Sequence, residues 1–202
     1  MKIICIGKNY AEHIKEMKSA VPTEPVFFMK PDTALVKDGA PFYIPDFSND
    51  LHHEVEIVLK INRNGKNIEE KFAHKYFDEI SVGIDFTARD LQAKCKEKGL
   101  PWEKAKAFDN SAPIGTFIPK SKFAMDNIDF HLDINGAMVQ KGNTKDLLFS
   151  FDKVISYISK FVTLKQGDLI YTGTPEGVGP VKPGDKLQAY IGNEKLLEFE
   201  VK

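Results

Sequence analysis

Two glutamates alternate within a segment that otherwise has the composition of a buried β-strand. Residues 51–60 read LHHEVEIVLK, and the two glutamates are Glu54 and Glu56. Successive side chains of a strand point to opposite faces, so both carboxylates lie on one face, about 7 Å apart at their Cα atoms. Like charges at this spacing repel, and a bound cation would relieve the repulsion. The alternative is a face that contacts water, the usual environment of carboxylates.

A third carboxylate, Asp85, is expected where the strand SVGIDF ends and a helix follows. Taken alone, Asp85 is more typical of an ordinary turn. Together with Glu54 and Glu56 it would form an oxygen-only site, which suits Mg²⁺, Mn²⁺ or Ca²⁺. Zinc usually recruits His or Cys. Strand alternation places His53 toward the core and His52 on the glutamate face, next to the candidate ligands.

A histidine and a glutamate three residues apart form the second candidate cluster. In KNYAEHIKEM, the spacing of Asn9 and Glu12 predicts a helix start, and that helix would bring His13 and Glu16 into contact. A carboxylate that binds a histidine fixes its tautomer and raises its basicity, which suits a general base for water. The alternative is an ordinary charged pair on a surface helix.

The segment YTGTPEGVGPVKPGD predicts an ordered loop that is rich in glycine and proline. Its threonine hydroxyls, at Thr172 and Thr174, and the backbone amides near Gly173 and Gly177 could hold a carboxylate or an oxyanion. The alternative is a surface turn that binds nothing. Lys106, in GLPWEKAKAFDNS, gains a functional role only if its loop folds back over the carboxylates.

The surrounding pattern predicts an α+β fold made mostly of strands. Asn135-Gly136 and Gly192-Asn193 are typical of tight hairpins. Helices are expected in three segments, TARDLQAKCKEKG with a capping box from Thr87 to Asp90, SFDKVISYISKF with an apolar stripe, and the shorter NIEEKFAHKYF. The remaining strands are expected in KIICIG, VFFM, IGTFI, IDFHLDI, AMVQKG, DLIYTG, KLQAYIG and LLEFEVK. No Walker loop or GxGxxG is present, so nucleotide binding has no support.

Composition restricts the class of protein. The 202 residues carry 28 Lys and Arg against 29 Asp and Glu, so no net field favours nucleic acid or an anionic membrane. Two cysteines and the absence of a long apolar run favour a reducing, cytoplasmic setting without a membrane span or a secretion signal. We expect one domain over residues 1–202.

The motifs, taken in order, resemble the fumarylacetoacetate hydrolase family over nearly the whole chain, and in particular its small acylpyruvase and oxaloacetate decarboxylase branch. The matching stretches are GKNYAEH with the later Glu, PVFFMKP, LHHEVEIV, GIDFTARDLQ, GLPWEKAKAFD and TGTPEGVGPVKPGD. The resemblance implies a mostly β fold of rolled, mixed sheets with a few short helices, and a homodimer. It also implies an N-terminal lid, about residues 8–20.

The resemblance implies roles for nine residues. Glu54, Glu56 and Asp85 match the ligands of a divalent metal, Mg²⁺ first and Mn²⁺ or Ca²⁺ as alternatives. His13 and Glu16 match a water-activating dyad on the lid, and Lys106 matches a catalytic lysine near the metal. The positions expected to bind substrate are Thr174, Lys30 and Arg89, with a structural role as the alternative for Arg89.

The implied activity is metal-dependent chemistry on a small 2-oxo acid through a pyruvate enolate. The main expectation is hydrolysis of acylpyruvates, decarboxylation of oxaloacetate, or both. The alternatives are a 2-hydroxyhepta-2,4-diene-1,7-dioate isomerase or decarboxylase, an oxaloacetate tautomerase, and a non-catalytic metal-binding module. Close relatives usually carry Arg at the position of Lys8, so a bidentate carboxylate contact there would be weaker. The missing N-terminal domain of the larger enzymes argues against fumarylacetoacetate as substrate.

Overall fold

The computed structural model describes residues 1–202 and contains four sheets, with short helices around them. The strands are β1 Ile3–Gly7, β2 Val26–Lys30, β3 Leu35–Val36, β4 Leu51–His53, β5 Val55–Ile61, β6 Phe77–Ile84, β7 Thr87–Ala88, β8 Ala112–Pro113, β9 Ile118–Pro119, β10 Asp129–Ile134, β11 Ala137–Asn143, β12 Leu169–Tyr171, β13 Gly179–Pro180, β14 Lys186–Ile191 and β15 Glu194–Glu200. The helices are α1 Ala11–Glu16, α2 Glu70–Ala73, α3 Arg89–Lys98, α4 Glu103–Lys106 and α5 Phe151–Phe161.

The largest sheet has six strands in the order β2-β1-β12-β5-β6-β9. Its β1–β12 pair is parallel and its other pairs are antiparallel, so the sheet is mixed. A four-stranded antiparallel sheet, β11-β10-β14-β15, supplies the other large layer, and the small sheets are β13-β4-β7 and β3-β8. This arrangement confirms the α+β prediction with mostly strands.

The main hydrophobic core contains 35 buried residues and draws on both large sheets and on α5. Helix α5 has the amphipathic pattern that the sequence predicts, with Val154, Ile155 and Ile158 buried. It begins after Ser150, whose side chain accepts a hydrogen bond from the N–H of Lys153, as expected of an N-cap. None of the helices is long and apolar enough to cross a membrane.

Both predicted hairpins are confirmed. Asn135 and Gly136 connect β10 to β11 with φ values of 54° and 80°, the left-handed conformation that a type I′ turn requires. Gly192 and Asn193 connect β14 to β15. The second pair closes the four-stranded sheet at its edge.

The predicted start of the helix after Asp85 is wrong in detail. Thr87 lies in β7, and α3 begins at Arg89 without a side-chain cap. Asp90 accepts hydrogen bonds from the hydroxyl of Ser48, at 2.7 Å, and from the N–H of Asn49. The carboxylate of Asp90 therefore binds the distant loop of Ser48 and Asn49, whereas the spacing from Thr87 to Asp90 predicted that it would cap its own helix. The helix ends at Gly99, as predicted, in the left-handed conformation with φ of 63°.

Asn9 is likewise not the cap of α1, which begins at Ala11. Its side-chain amide donates to the carbonyl oxygens of Thr172, at 2.8 Å, and Phe149, at 3.1 Å. It also accepts from the N–H of Phe149 at 2.8 Å. Asn9 therefore joins the end of β1 to two loops rather than to its own helix.

Two other element predictions are too long. Of the segment IGTFI only Ile118 lies in a strand, as the first residue of β9, and the N–H of Thr116 donates to the carbonyl of Leu196 at 2.9 Å instead of to a strand of the six-stranded sheet. The segment NIEEKFAHKYF contains α2, which is four residues long, and a 3₁₀ turn over His74–Tyr76.

Candidate active site

Strand register brings the three carboxylates together. In the antiparallel pair β5–β6, Val55 lies opposite Ile84, so Glu54 directly before β5 faces Asp85 directly after β6. The N–H of Asp85 donates to the carbonyl of Glu54 at 2.8 Å. Glu54, Glu56 and Asp85 each offer one carboxylate oxygen, and these three oxygens lie within 4.8 Å of one another. The predicted three-carboxylate cluster therefore exists in the structure.

The cluster is buried, which excludes the water-exposed alternative for the glutamate face. Glu54, Glu56 and Asp85 are 5%, 1% and 1% exposed. Glu54 lies at the break between β4 and β5, where the chain passes from the three-stranded sheet into the six-stranded sheet. On the opposite face, His53 is buried and its Nδ1 lies 2.9 Å from the Gln140 side-chain oxygen, as expected for a core histidine.

Lys106 lies directly against the carboxylates. Its ammonium donates to Glu54 Oε2 at 2.7 Å and to Asp85 Oδ2 at 2.8 Å. The loop after α3 therefore does fold back over the cluster, which was the condition for a functional role of Lys106. A cation that binds between these carboxylates would share them with the Lys106 ammonium.

Lys30 lies beneath the cluster rather than in the pocket. Its ammonium is 2.8 Å from Asp85 Oδ1, but is not directed for a hydrogen bond to that oxygen. It donates to the carbonyls of Phe86 and Lys106 and to the carbonyl and hydroxyl of Ser111. The Lys30 ammonium is enclosed by these acceptors and holds the segment of Lys106 in place. The substrate-binding role that the resemblance implies for Lys30 stays a prediction, and the geometry supports a positioning role.

Arg89 borders the cluster on the side of α3. Its guanidinium donates to Glu54 Oε1 at 2.7 Å and to the side-chain oxygen of Gln92 at 2.8 Å. Its Nε lies 3.5 Å from Nδ1 of His52. Arg89 thus links His52 to Glu54. Because Gln92 and Glu54 already accept hydrogen bonds from the Arg89 guanidinium, few of its N–H groups remain for a substrate.

The electrostatics of the three carboxylates are unequal. Burial, and then the negative charges of Asp85 and Glu54, raise the pKa of Glu56 well above its usual range. Burial also acts to raise the pKa of Glu54, but Lys106 and Arg89 outweigh it and hold that pKa well below its usual range. Burial acts to lower the pKa of Lys106, but Asp85 and Glu54 outweigh it, so the pKa is raised and Lys106 stays charged.

These residues fit a divalent cation. The cluster offers only carboxylate oxygens, which are the ligands that Mg²⁺ and Mn²⁺ prefer. A cation would also relieve the repulsion that disfavours the charged form of Glu56. Three carboxylates would fill only part of the octahedral shell that Mg²⁺ prefers, so the remaining positions would go to water or to a small ligand.

The glycine-rich loop after β12 binds the carboxylates of the chain itself. The N–H of Gly173 donates to Glu56 Oε2 at 2.7 Å, and the N–H of Gly177 donates to Glu16 Oε1 at 3.0 Å. The expected oxyanion cradle at these amides is therefore occupied by two side chains of the protein. Thr174 lines the pocket, and its hydroxyl accepts from the Gln140 side-chain amide at 2.9 Å.

The predicted contact between His13 and Glu16 is present. Nδ1 of His13 lies 3.0 Å from Oε2 of Glu16, and Gly177 holds the other oxygen of that carboxylate. His13 is buried and lines the same pocket as Glu54, Glu56 and Asp85. The pair thus has the arrangement of a histidine base that is oriented by a carboxylate.

Sequence reasoning missed several residues of the pocket and its support. Gln92, Lys96 and Trp102 line the pocket together with Lys8. Gln92 lies three residues after Arg89 on one helix, a spacing that could have identified it. Gln140, which binds His53, the N–H of Val55 and Thr174, comes from β11 and gave no local signal.

A mostly β fold around a buried pocket of three carboxylates, a charged lysine and a histidine–glutamate pair defines a protein of the metal-dependent enzyme class. The model of the family described as fumarylacetoacetate (FAA) hydrolase C-terminal matches residues 2–202. The chain belongs to the fumarylacetoacetate hydrolase family.

Relatives of known name match over nearly their whole length. The chain is 48% identical to the oxaloacetate tautomerase YcgM of Escherichia coli (strain K12) over 197 aligned residues. The alignment covers 96% of this chain and 90% of the relative. It is 43% identical over 200 residues to the mitochondrial oxaloacetate tautomerase FAHD1 of Homo sapiens, with 98% and 90% covered. It is 42% identical over 203 residues to the mitochondrial oxaloacetate decarboxylase of Dictyostelium discoideum, with 99% and 93% covered.

Solved structures have the same fold. A fumarylacetoacetate hydrolase family protein from Yersinia pestis CO92 superposes with a TM-score of 0.95 at 44% identity, over 100% of this chain and 93% of that chain. The fumarylpyruvate hydrolase of Pseudomonas aeruginosa, solved in complex with Mn²⁺ and pyruvate, superposes with a TM-score of 0.94 at 36% identity, over 100% and 89%.

Proposed function

We propose that this protein is a divalent-metal-dependent enzyme that interconverts the enol and keto forms of oxaloacetate. The observation that carries the proposal is the buried cluster of Glu54, Glu56 and Asp85 in one pocket with the His13–Glu16 pair. The oxaloacetate tautomerases of Escherichia coli and Homo sapiens, which are similar over 96% and 98% of this chain, support this choice of substrate. Tautomerisation, an alternative from the sequence, thus becomes the first candidate.

Glu54, Glu56 and Asp85 would hold Mg²⁺ or Mn²⁺. A bound cation supplies positive charge that withdraws electrons from a 2-oxo group and stabilises the enolate. Lys106 adds a second positive charge at the same place, and since its pKa is raised it acts as a charge and a hydrogen-bond donor rather than as a base. Arg89 and Lys30 hold Glu54 and Asp85 in position.

His13 is the residue that moves a proton in this proposal. Conversion of enol to keto removes the proton of the 2-hydroxyl group and adds one to C3. His13, oriented by Glu16, takes a proton from solvent and delivers it to C3, while the 2-hydroxyl proton passes to solvent, so that His13 returns to its starting state and the protons balance. Thr174 lines the same pocket and positions the bound acid. The segment of residues 8–20, which carries α1 and the His13–Glu16 pair, would act as the lid.

Hydrolysis of acylpyruvates is the second candidate, and the His13–Glu16 pair favours it. A neutral histidine bound to a carboxylate can take a proton from water, which is the step that hydrolysis needs and decarboxylation does not. Decarboxylation of oxaloacetate would use the same enolate stabilisation by Lys106 without the activated water. The decarboxylase of Dictyostelium discoideum and the fumarylpyruvate hydrolase of Pseudomonas aeruginosa support these related activities.

The test is a comparison of metal-stripped protein with and without added Mg²⁺ or Mn²⁺. Enol oxaloacetate is followed by its ultraviolet absorbance, pyruvate release reports decarboxylation, and acetylpyruvate consumption reports hydrolysis. We expect metal-dependent loss of the enol at a rate above that of either other reaction. Enol loss that is equally fast in chelator, or in a Glu54→Ala variant, would exclude the proposal.

We also propose a homodimer. The support is the resemblance together with exposed apolar side chains, among them Phe161, Leu100 and Val21 at 57%, 50% and 63% exposure. Light scattering on the eluted protein tests it, and a mass equal to the 22.8 kDa chain would refute it.

A further inference from the structure

Two lysines at the mouth of the pocket have no acidic partner. Lys8 follows β1, Lys96 lies in the second half of α3, and both line the pocket of the three carboxylates. The pocket carboxylates pair with Lys106 and Arg89 instead. The charges of Lys8 and Lys96 therefore remain available to an anion that enters the pocket.

The backbone of Lys8 is held in an unusual conformation. Its φ of 59° is left-handed, a region that residues other than glycine rarely adopt. The next residue, the fully buried Asn9, fixes this turn through its hydrogen bonds to Thr172 and Phe149. Strained residues that their surroundings hold in place are concentrated at ligand-binding sites.

Lys96 approaches the same space from the helix. Its ammonium lies 5.7 Å from the centre of the Trp102 ring, which also lines the pocket. Desolvation, and then the positive charges of Arg89 and Lys8, lower the pKa of Lys96. Lys8 and Lys96 line one pocket, so their positive charges repel, and an anion between them would relieve this repulsion.

We propose that Lys8 and Lys96 bind the second carboxylate of a dicarboxylic 2-oxo acid and make the pocket selective for dianions over monoanions. The inference rests on the proposed function and defines its substrate class. The three carboxylates would repel a second negative group, so that group needs cations at another part of the pocket. Oxaloacetate has a carboxylate to place there, whereas pyruvate and acetylpyruvate do not.

A binding experiment tests the inference without turnover. The chain has one tryptophan, Trp102, and its place in the pocket makes its fluorescence a direct report of binding. Oxaloacetate and pyruvate are titrated in Mg²⁺ by stopped flow against the wild type, Lys8→Met, Lys96→Met and the double variant. Lys98→Met, in the same helix, exposed and outside the pocket, is the matched control.

We expect each single variant to raise the Kd of oxaloacetate about 10- to 100-fold, the range expected for a hydrogen bond to a charged group. The Kd of pyruvate should remain at the wild-type value in the Lys8 and Lys96 variants. In Lys98→Met the Kd values of both oxaloacetate and pyruvate should remain at wild-type values. In steady-state assays the loss should fall on the KM of oxaloacetate rather than on kcat, and Lys8→Arg should bind oxaloacetate at least as tightly as the wild type.

Equal weakening of both acids, or unchanged affinity in the double variant, would overturn the inference. Wild-type protein that binds neither acid would overturn it as well. Charge-selective binding without turnover of either acid would overturn the proposed function and leave the carboxylate site standing. The two failures are therefore distinguishable.

Discussion

Among the individual residues of the cluster, Glu56 has the least favourable charge environment. Glu54 has Lys106 and Arg89 as partners and Asp85 has Lys106 and Lys30, whereas Glu56 receives one hydrogen bond, from the N–H of Gly173. Its buried charge is therefore stabilised chiefly when a cation binds. This residue should report metal binding most directly.

Glu56→Gln should abolish stabilisation by metal without destabilising the metal-free protein. The amide oxygen can still accept the Gly173 hydrogen bond, and the variant removes a repelling charge. The melting temperature is measured with and without Mg²⁺, against Glu79→Gln, a residue in an exposed ion pair with Lys60. If Mg²⁺ raised the Tm of Glu56→Gln as much as it raises that of the wild type, the ligand role of Glu56 would be contradicted.

His13→Ala should reduce acylpyruvate hydrolysis by about 10²- to 10⁴-fold, the usual contribution of a general base. Oxaloacetate decarboxylation should fall much less, because that reaction activates no water. The measurement is kcat for both reactions in the same Mg²⁺-loaded preparation. Lys15→Ala, in the same helix and paired with Glu12 on the surface, is the control. Equal losses in both reactions would remove the water-activating role.

At the element scale, the loop after β12 controls the position of two acidic side chains. Gly173 has φ of 104°, and a Cβ atom there would lie 2.7 Å from Cβ of Asn9. Its N–H holds Glu56, while Gly177 holds Glu16. The loop therefore joins the carboxylate cluster to the His13–Glu16 helix.

Gly173→Ala should destabilise the protein more than Gly184→Ala. Gly184 has a similar φ of 92°, but a Cβ atom added there would have nothing within 4 Å, so both variants carry backbone strain and only one adds a collision. Urea unfolding should show an additional loss of about 1–3 kcal/mol for Gly173→Ala. If both variants lost the same free energy of unfolding, Asn9 would have to move away from the added Cβ atom at no cost, and this would contradict the constraint from its buried hydrogen bonds.

At the scale of the whole molecule, folding must bury three carboxylates and two lysines in one place. Residues 30, 54, 56, 85 and 106 are each at most 5% exposed, and they come from four separate parts of the chain, of which one carries both glutamates. Removing one partner of such a cluster leaves an uncompensated buried charge. The stability of the entire fold therefore depends on the balance of charge within this cluster.

Lys106→Met should lower the metal-free stability by about 3–5 kcal/mol, as expected when a buried ion pair loses one partner. Saturating Mg²⁺ should restore part of it, since a cation replaces the lost charge and stabilises the folded state by mass action. Urea unfolding of Lys106→Met is compared with Lys60→Met, which breaks an exposed pair and should cost about 0–1 kcal/mol. If metal-free Lys106→Met were as stable as the wild type, the buried ion pairs of Lys106 would not stabilise the fold.

A single cooperative unfolding transition of the wild type would support one domain over residues 1–202.

Local sequence determined the strands, the hairpins and helix α5. Alternation, Asn-Gly pairs and an apolar stripe act over a few residues, so their structural result can be predicted without the rest of the chain. The same local rules gave wrong starts for α1 and α3, because Asn9 and Asp90 bind partners far away in sequence. Capping boxes compete with tertiary acceptors and donors, which spacing does not reveal.

The types of the site residues were also determined by sequence, through the Glu-x-Glu strand, the later Asp and the His–Glu pair. Tertiary packing alone places Glu54 opposite Asp85 across β5 and β6, puts Lys30 under the site, and makes Lys8 and Lys96 line the same pocket. The physical reason is distance along the chain. Residue type gives each group its chemistry, but charges interact through space, and only the packed sheets bring these charges within reach.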